Sequence, residues 1–190
     1  FRPAVGIAPR VGFRRLQPSA DYTFLFPNSN LFRSYEIDLR YEHLVNMDYE
    51  PETIELRLSP IDIEFESGAE FSASVSRNYE RLDLPFDILR DGSIIIPAGD
   101  YTNWAFGLEA ETSSFRRVSV SAEYEREGFW SGYRNQYNTS LDLRPYPGIN
   151  LSADWSRSDV NLEEGDFTTD LFRFNTNVDL TPWTSFTSIL

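Results

Sequence analysis

Apolar residues recur at every second position along much of this chain, and this period of two restricts the fold more than any other feature. In residues 32–46 one face of an extended strand would carry Tyr35, Ile37, Leu39, Tyr41, His43 and Val45, and the other Glu36, Asp38, Arg40 and Glu42. The same alternation occurs in 115–126, 133–144, 148–158 and 168–180. The sequence therefore predicts an all-β chain.

Turn-forming residues separate these stretches in two ways. Short turns are predicted at 27–30, 66–70, 113–114, 145–148 and 181–182, and longer connections near 47–52, 83–99, 127–132 and 161–166. Short turns that alternate with longer loops favour an antiparallel up-and-down meander of about nine or ten strands, part of a transmembrane outer-membrane β-barrel. Residues 1–17 are predicted to be an N-terminal linker, and 18–190 a partial barrel domain truncated at its C-terminal end.

Two hairpin registers follow from matching residues of like character across a turn. A three-residue turn at 113–115 would pair Ala110 with Val118, Leu108 with Val120, Phe106 with Ala122 and Trp104 with Tyr124. The hairpin around Gly68 would pair Phe65 with Phe71, Ile63 with Ala73 and Ile61 with Val75. Pro60 interrupts the apolar alternation of its strand, so a β-bulge is predicted there.

Composition excludes several classes of chemistry. The chain has no cysteine, its 17 basic residues are all arginine, and His43 is its single histidine, so thiolate, Schiff-base and multi-histidine sites are excluded. A net charge of −13 argues against nucleic acid as a partner. Glu109 with Glu123 is a chance carboxylate pair on an acidic face, and 163–166 lacks the spacing of an EF-hand calcium loop. We predict no catalytic, cofactor or metal site, and no enzyme activity.

Aromatic residues make up 15% of the chain, and many fall near predicted strand ends. This is typical of the girdles of membrane barrels, although aromatic residues also favour the strands of soluble β-sandwiches. The predicted membrane-interface aromatics are Tyr101, Trp104, Tyr124, Phe129, Trp130, Trp155 and Trp183.

The opposite, charged face would line the interior of such a barrel. The predicted lumen-facing charges are Glu36, Asp38, Arg40, Glu42, Glu109, Glu111, Glu123, Glu125, Arg134 and Arg144. They are consistent with a cation-attracting lumen or with a wet wall whose charges pair across strands. Arg77, Arg126 and Arg157 share the parity of the apolar face, so they are predicted to lie beyond the hydrocarbon band.

The longest predicted connection has an apolar centre. Gly92 and Gly99 flank the run Ile94-Ile95-Ile96-Pro97. Such a loop would fold into the lumen, cap the barrel or pack against a neighbouring element, and the sequence leaves these three alternatives open.

Four segments resemble an uncharacterised bacterial family: Val11-Gly12-Phe13-Arg14-Arg15, residues 71–80 leading to Leu84-Pro85-Phe86, Ile96-Pro97-Ala98-Gly99-Asp100-Tyr101, and Phe129-Trp130-Ser131-Gly132-Tyr133. Its members carry a carbohydrate-binding domain of the family-9 type, followed by an outer-membrane β-barrel domain. The resemblance covers residues 11–190 and rests on the residue patterns of strands and loops rather than on a catalytic motif.

That resemblance implies a Gram-negative outer-membrane location, lipid as the partner of the barrel, and glycans bound through an N-terminal domain absent from this chain. The expected role is transport, glycan uptake or surface anchoring. The alternatives are a soluble glycan-binding β-sandwich and an accessory domain of a secreted glycosidase. A fragment of a TonB-dependent receptor also stays open, although no plug domain is visible in the sequence.

Overall fold

The computed structural model describes residues 13–181 and 183–189, and their regular structure is entirely β-strand. The strands are β1 (Phe13–Leu16), β2 (Ser19–Leu25), β3 (Phe32–Asn46), β4 (Pro51–Phe65), β5 (Glu70–Leu82), β6 (Phe86–Asp87), β7 (Ile95–Ile96), β8 (Gly99–Glu111), β9 (Val118–Phe129), β10 (Gly132–Leu143), β11 (Ile149–Leu162), β12 (Gly165–Thr181) and β13 (Thr184–Ile189). Among these described residues, no helix has the length and apolarity that a bilayer crossing requires. Val11 and Gly12, which open the first segment of the resemblance, lie outside the described residues.

Eleven of the strands form one antiparallel sheet whose neighbours follow chain order. β1 and β2 both pair with the same edge of β3. Gln17 and Pro18 interrupt the strand between them, so the sheet has ten strand positions. β13 lies at the other edge, and β6 pairs only with β7. The prediction of an antiparallel meander is confirmed. Within the predicted linker 1–17, residues 13–16 belong to this sheet.

Successive connections lie at opposite ends of the sheet. One end, here called the turn end, carries the connections 26–31, 66–69, 112–117 and 144–148. The other end, here called the cap end after its long segment 83–98, also carries 47–50, 130–131 and 163–164. The prediction of longer loops at 47–52, 127–132 and 161–166 was therefore wrong, and of the four only 83–98 is long.

Glycine allows β10 and β11 to approach closely beside the turn 130–131. A Cβ on Gly132 would lie 1.9 Å from the carbonyl oxygen of Asn161 on β11, so only glycine allows the strands to approach this closely.

Both predicted registers were wrong by an even number of residues. Ala110 lies opposite Ala122 and Leu108 opposite Tyr124, because Thr112 and Val120 close a hairpin longer than three residues. Around Gly68, whose φ is 74°, Ile63 lies opposite Phe71. An even shift keeps every side chain on its predicted face. The bulge at Pro60 is confirmed by the register shift between Leu58 and Ile61.

Candidate functional site

In a water-soluble sheet the apolar face is buried and the polar face is exposed. This sheet shows the opposite. On β8, Trp104 and Phe106 are 54% and 56% exposed, whereas Ala105 between them is 3% exposed on the other face. On β9, Val118 is 51% exposed and Ser119 is 5% exposed. We call these the apolar face and the polar face. A contiguous exposed apolar surface marks a contact with another protein or with a membrane.

The predicted lumen-facing charges of the strands all have the parity of the polar face. Glu36, Asp38, Arg40 and Glu42 lie on β3, Glu109 and Glu111 on β8, Glu123 and Glu125 on β9, and Arg134 on β10. Arg144 follows β10 and donates to the carbonyl oxygen of Ser114. The structure pairs Glu109 with Glu123 and Arg134 with Glu127. Glu70 and Glu127 were missed, although the period of two would have found both.

Carboxylates face carboxylates across neighbouring strands of this face. One row runs Glu36, Asp62, Ser72, Glu109, Glu123, and the next runs Glu64, Glu70, Glu111. We call the seven carboxylates of these two rows the acidic belt; it crosses β3, β4, β5, β8 and β9 near the turn end. Like charges placed directly opposite each other destabilise a sheet. The acidic belt therefore concentrates negative charge that attracts cations.

Arginine side chains neutralise only some of the carboxylates on the polar face. Arg33 bridges Glu64 and also lies 4.0 Å from Glu66, Arg40 contacts Asp38 at 2.9 Å, and Arg15 donates twice to Glu42 at 3.0 Å. Arg33 and Arg15 thus pair with carboxylates on neighbouring strands and Arg40 with one on its own strand, while the acidic belt contains like-charge pairs. Among the described residues, no group of three or more carboxylate or imidazole side chains is arranged to hold a metal ion.

Residues 83–98, here called the cap, have an ordered structure of their own. β6 and β7 pair within them, and the Asp87 carboxylate accepts from the amides of Arg90 and Gly92 at 2.9 and 2.8 Å. The Asp91 carboxylate accepts from the hydroxyl and the amide of Ser93, which lowers the pKa of Asp91. These bonds stabilise the cap as a compact hairpin.

The cap packs on the polar face of the sheet. Ile94 and Ile96 are buried with Val160 and Leu162 of β11. Half-buried residues complete the cluster: Leu82, Phe86, Ile88, Tyr101, Phe129, Trp130 and Phe167. Of the three alternatives for this loop, the structure shows contact with the polar face at one end of the sheet.

This packing separates the predicted interface aromatics into two groups. Trp104, Tyr124 and Trp155 have the parity of the apolar face, and Trp183 lies at the turn end, 93% exposed. Tyr101, Phe129 and Trp130 instead pack under the cap. Tyr101 and Phe129 have the parity of the polar face and Trp130 lies in the connection 130–131, but the aromatic content drew the sequence interpretation toward the membrane interface.

Two cavities adjoin Phe129, Trp130 and Arg134 beside the cap. One has a volume of about 160 Å³ and is bounded by β5, β8, β9 and β10; the other, of about 310 Å³, lies between the cap and β10–β12. The Arg134 guanidinium is buried, pairs with Glu127 and lies 4.7 Å from the ring centre of Phe129. The Trp130 indole donates to Glu80 at 3.2 Å. This end of the polar face is therefore partly closed by protein.

Arg77, Arg126 and Arg157 lie on the apolar face, beyond the middle of their strands as counted from the turn end. They stand seven, eight and eight residues along their strands from the turn end. Arg77 lies 5.8 Å from the ring centre of Trp104, Arg126 lies 4.8 Å from that of Tyr133, and Arg157 bonds Asp159 at 3.0 Å. On β9, the apolar-face series from Val118 to Tyr124 ends at Arg126.

No family model, curated protein or solved structure matches this chain.

Proposed function

We propose that this chain is part of a transmembrane β-barrel of the bacterial outer membrane, with its apolar face toward lipid and its polar face around a water-filled interior. The inverted exposure of the two faces carries the proposal. Burial of apolar surface in lipid removes the cost of exposing it to water. The barrel serves transport or glycan uptake, or anchors a larger carbohydrate-binding protein at the surface.

The height of the apolar band supports a membrane span. From Val118 to Arg126, β9 covers nine residues, and a tilted transmembrane strand needs about 9–11. Aromatic side chains flank the band, as at membrane interfaces. Tyr133 lies beside Arg126 at its upper limit, and Phe115, Tyr146 and Trp183 are exposed at the turn end. A long arginine side chain at the upper level reaches the headgroup region.

The acidic belt favours transport over simple anchoring. Rings of acidic side chains favour cations in wide pores. Like-charge pairs reduce the stability of the sheet. A membrane anchor would gain nothing in return for that loss. We infer that the interior conducts cations and neutral solutes better than anions.

The experiment is expression of the full-length protein in a Gram-negative host, followed by fractionation and electrophoresis with and without boiling. A closed barrel resists detergent until heated because every strand edge is paired. We expect the protein in the outer-membrane fraction, with a band that shifts on boiling. A soluble product with no heat-dependent shift would refute the membrane proposal and favour the glycan-binding sandwich.

Adjacent residues on opposite faces provide a matched control. Leu108→Arg places a charge on the apolar face, where arginine costs about 2–4 kcal/mol at the bilayer midplane. Glu109→Arg makes the same side chain on the polar face and removes one carboxylate from the Glu109–Glu123 pair. We expect the heat-shifted, membrane-inserted fraction to fall for Leu108→Arg and to stay near wild type for Glu109→Arg. Equal loss in both variants would contradict the assignment of the faces.

A further inference from the structure

The cap is longer than its connection requires. Leu82 and Gly99, the residues on either side of it, are directly paired on β5 and β8. Two paired strand ends can be joined by a two-residue turn. The chain instead uses residues 83–98, so this segment has a role beyond joining two strands.

The cap reaches far across the polar face. It leaves the sheet between β5 and β8, yet Ile94 and Ile96 pack on Val160 and Leu162 of β11, and Phe167 of β12 joins them. β11 lies three strand positions beyond β8, about 14 Å away on a flat sheet at 4.7–4.9 Å per strand. The cap therefore covers the face across several strands instead of projecting from its edge.

The sheet has a matching seat for it. The polar-face side chains of β11 are Ser152, Asp154, Ser156 and Ser158, and the series then changes to Val160 and Leu162 beneath the cap. On β12, a Cβ at Gly165 would lie 3.2 Å from Ile94 Cγ1, so the absence of a side chain there makes room for Ile94. Apolar residues on an otherwise polar face, opposite buried isoleucines, indicate a specific docked position.

We propose that the cap is a constriction seated in the mouth of the channel, and that the contacts of Ile94 and Ile96 with β11 and β12 set the size of solute that passes. This inference rests on the proposed function, because it needs the polar face to surround a conduit. Burial of apolar side chains holds the cap in place, so replacing them with polar side chains unseats it. The neighbouring Ile95 is 49% exposed, whereas Ile96 is fully buried.

The test measures conductance and size exclusion of the full-length protein in planar lipid bilayers and in vesicles. The unseating variant is Ile94→Ser with Ile96→Ser, and the matched control is Ile95→Ser. We expect a several-fold higher conductance, and entry of longer polyethylene glycols, for the double variant alone. A heat-shifted double variant with wild-type conductance and wild-type size limit would overturn the proposal.

A second variant removes the cap without placing polar residues in its buried cluster. Replacing residues 83–98 with Asn-Gly joins Leu82 to Gly99 by a two-residue turn and removes the cap completely. We expect its conductance to equal or exceed that of the double variant, and unchanged conductance would again overturn the proposal. If the wild-type protein itself shows no heat-dependent shift, the barrel proposal has failed rather than the constriction.

A third measurement uses the absence of native cysteine. Ile94→Cys with Val160→Cys places two thiols in the buried cluster beneath the cap, where oxidation links them if the cap stays docked. We expect rapid crosslinking with conductance no higher than wild type, and failure to crosslink in the membrane-inserted protein would contradict the docked position.

Discussion

The two ends of the polar face differ in burial and in charge. At the cap end, isoleucines cover the face, and the buried Arg134 is paired with Glu127. At the turn end, the acidic belt places carboxylates opposite carboxylates. A face that is closed by protein at one end and charged at the other suits a conduit whose selectivity by size and by charge lies at different levels.

The largest effect is expected at the cap end, from Gly132→Ala. The new Cβ would lie 1.9 Å from the Asn161 carbonyl oxygen, and this backbone atom cannot move aside without separating β10 from β11. We expect a loss of about 4 kcal/mol or more in the free energy of unfolding, or no folded protein. Gly99→Ala is the control, because its Cβ would meet only the Tyr101 ring at 3.8 Å. Urea unfolding in lipid vesicles measures both, and equal losses would contradict the close approach.

Next in size is the local stability of the cap. Ile96→Ala removes a fully buried side chain from the cluster and is expected to lower the free energy of cap opening by about 2–5 kcal/mol. The readout is hydrogen exchange of the Ile88 amide, which donates to the Ile94 carbonyl oxygen at 3.1 Å. The control Ile95→Ala should exchange at the wild-type rate. Unchanged exchange in Ile96→Ala would show that the cap does not depend on this contact.

A smaller effect is expected in the acidic belt. Glu123→Gln relieves the repulsion with Glu109 and is expected to raise the free energy of unfolding by about 0.2–1 kcal/mol at low salt. Salt screens this repulsion, so the gain should shrink at high ionic strength. Glu125→Gln is the control, because Glu125 lies opposite Gly107 and Gln136. Reversal potentials of the same variants test cation preference, which should fall for Glu123→Gln.

The smallest effect concerns pH. Since hydrogen bonds from Ser93 lower the pKa of Asp91, the folded cap favours the ionised carboxylate. That contribution to cap stability is complete above the ordinary aspartate pKa of about 3.9, and it disappears as the pH falls through the lower pKa of the folded cap. NMR titration of Asp91, with Ser93→Ala as the comparison, measures the shift. An Asp91 pKa that does not rise toward its ordinary value in Ser93→Ala would contradict this cause.

The period of two predicted much of this molecule correctly. Apolar and polar side chains of β3 and β8–β12 lie on the faces that the sequence indicated, and the bulge at Pro60 is present. Both hairpin registers failed because the lengths of turns 66–69 and 112–117 depend on local hydrogen bonds at Gly68 and Thr112. A register error of two or four residues changes the cross-strand partners but not the faces, so the period of two cannot detect it.

The antiparallel meander and the two chemically distinct faces can be predicted from the residue pattern alone, because alternation along a strand depends only on the direction of successive side chains. The arrangement of side chains on the polar face depends on tertiary contacts. The rows of opposed carboxylates depend on the register between strands, and the place of Tyr101, Phe129 and Trp130 beneath the cap depends on how residues 83–98 fold back. Contacts between residues far apart in the chain leave no periodic signal within it, so only the folded sheet shows them.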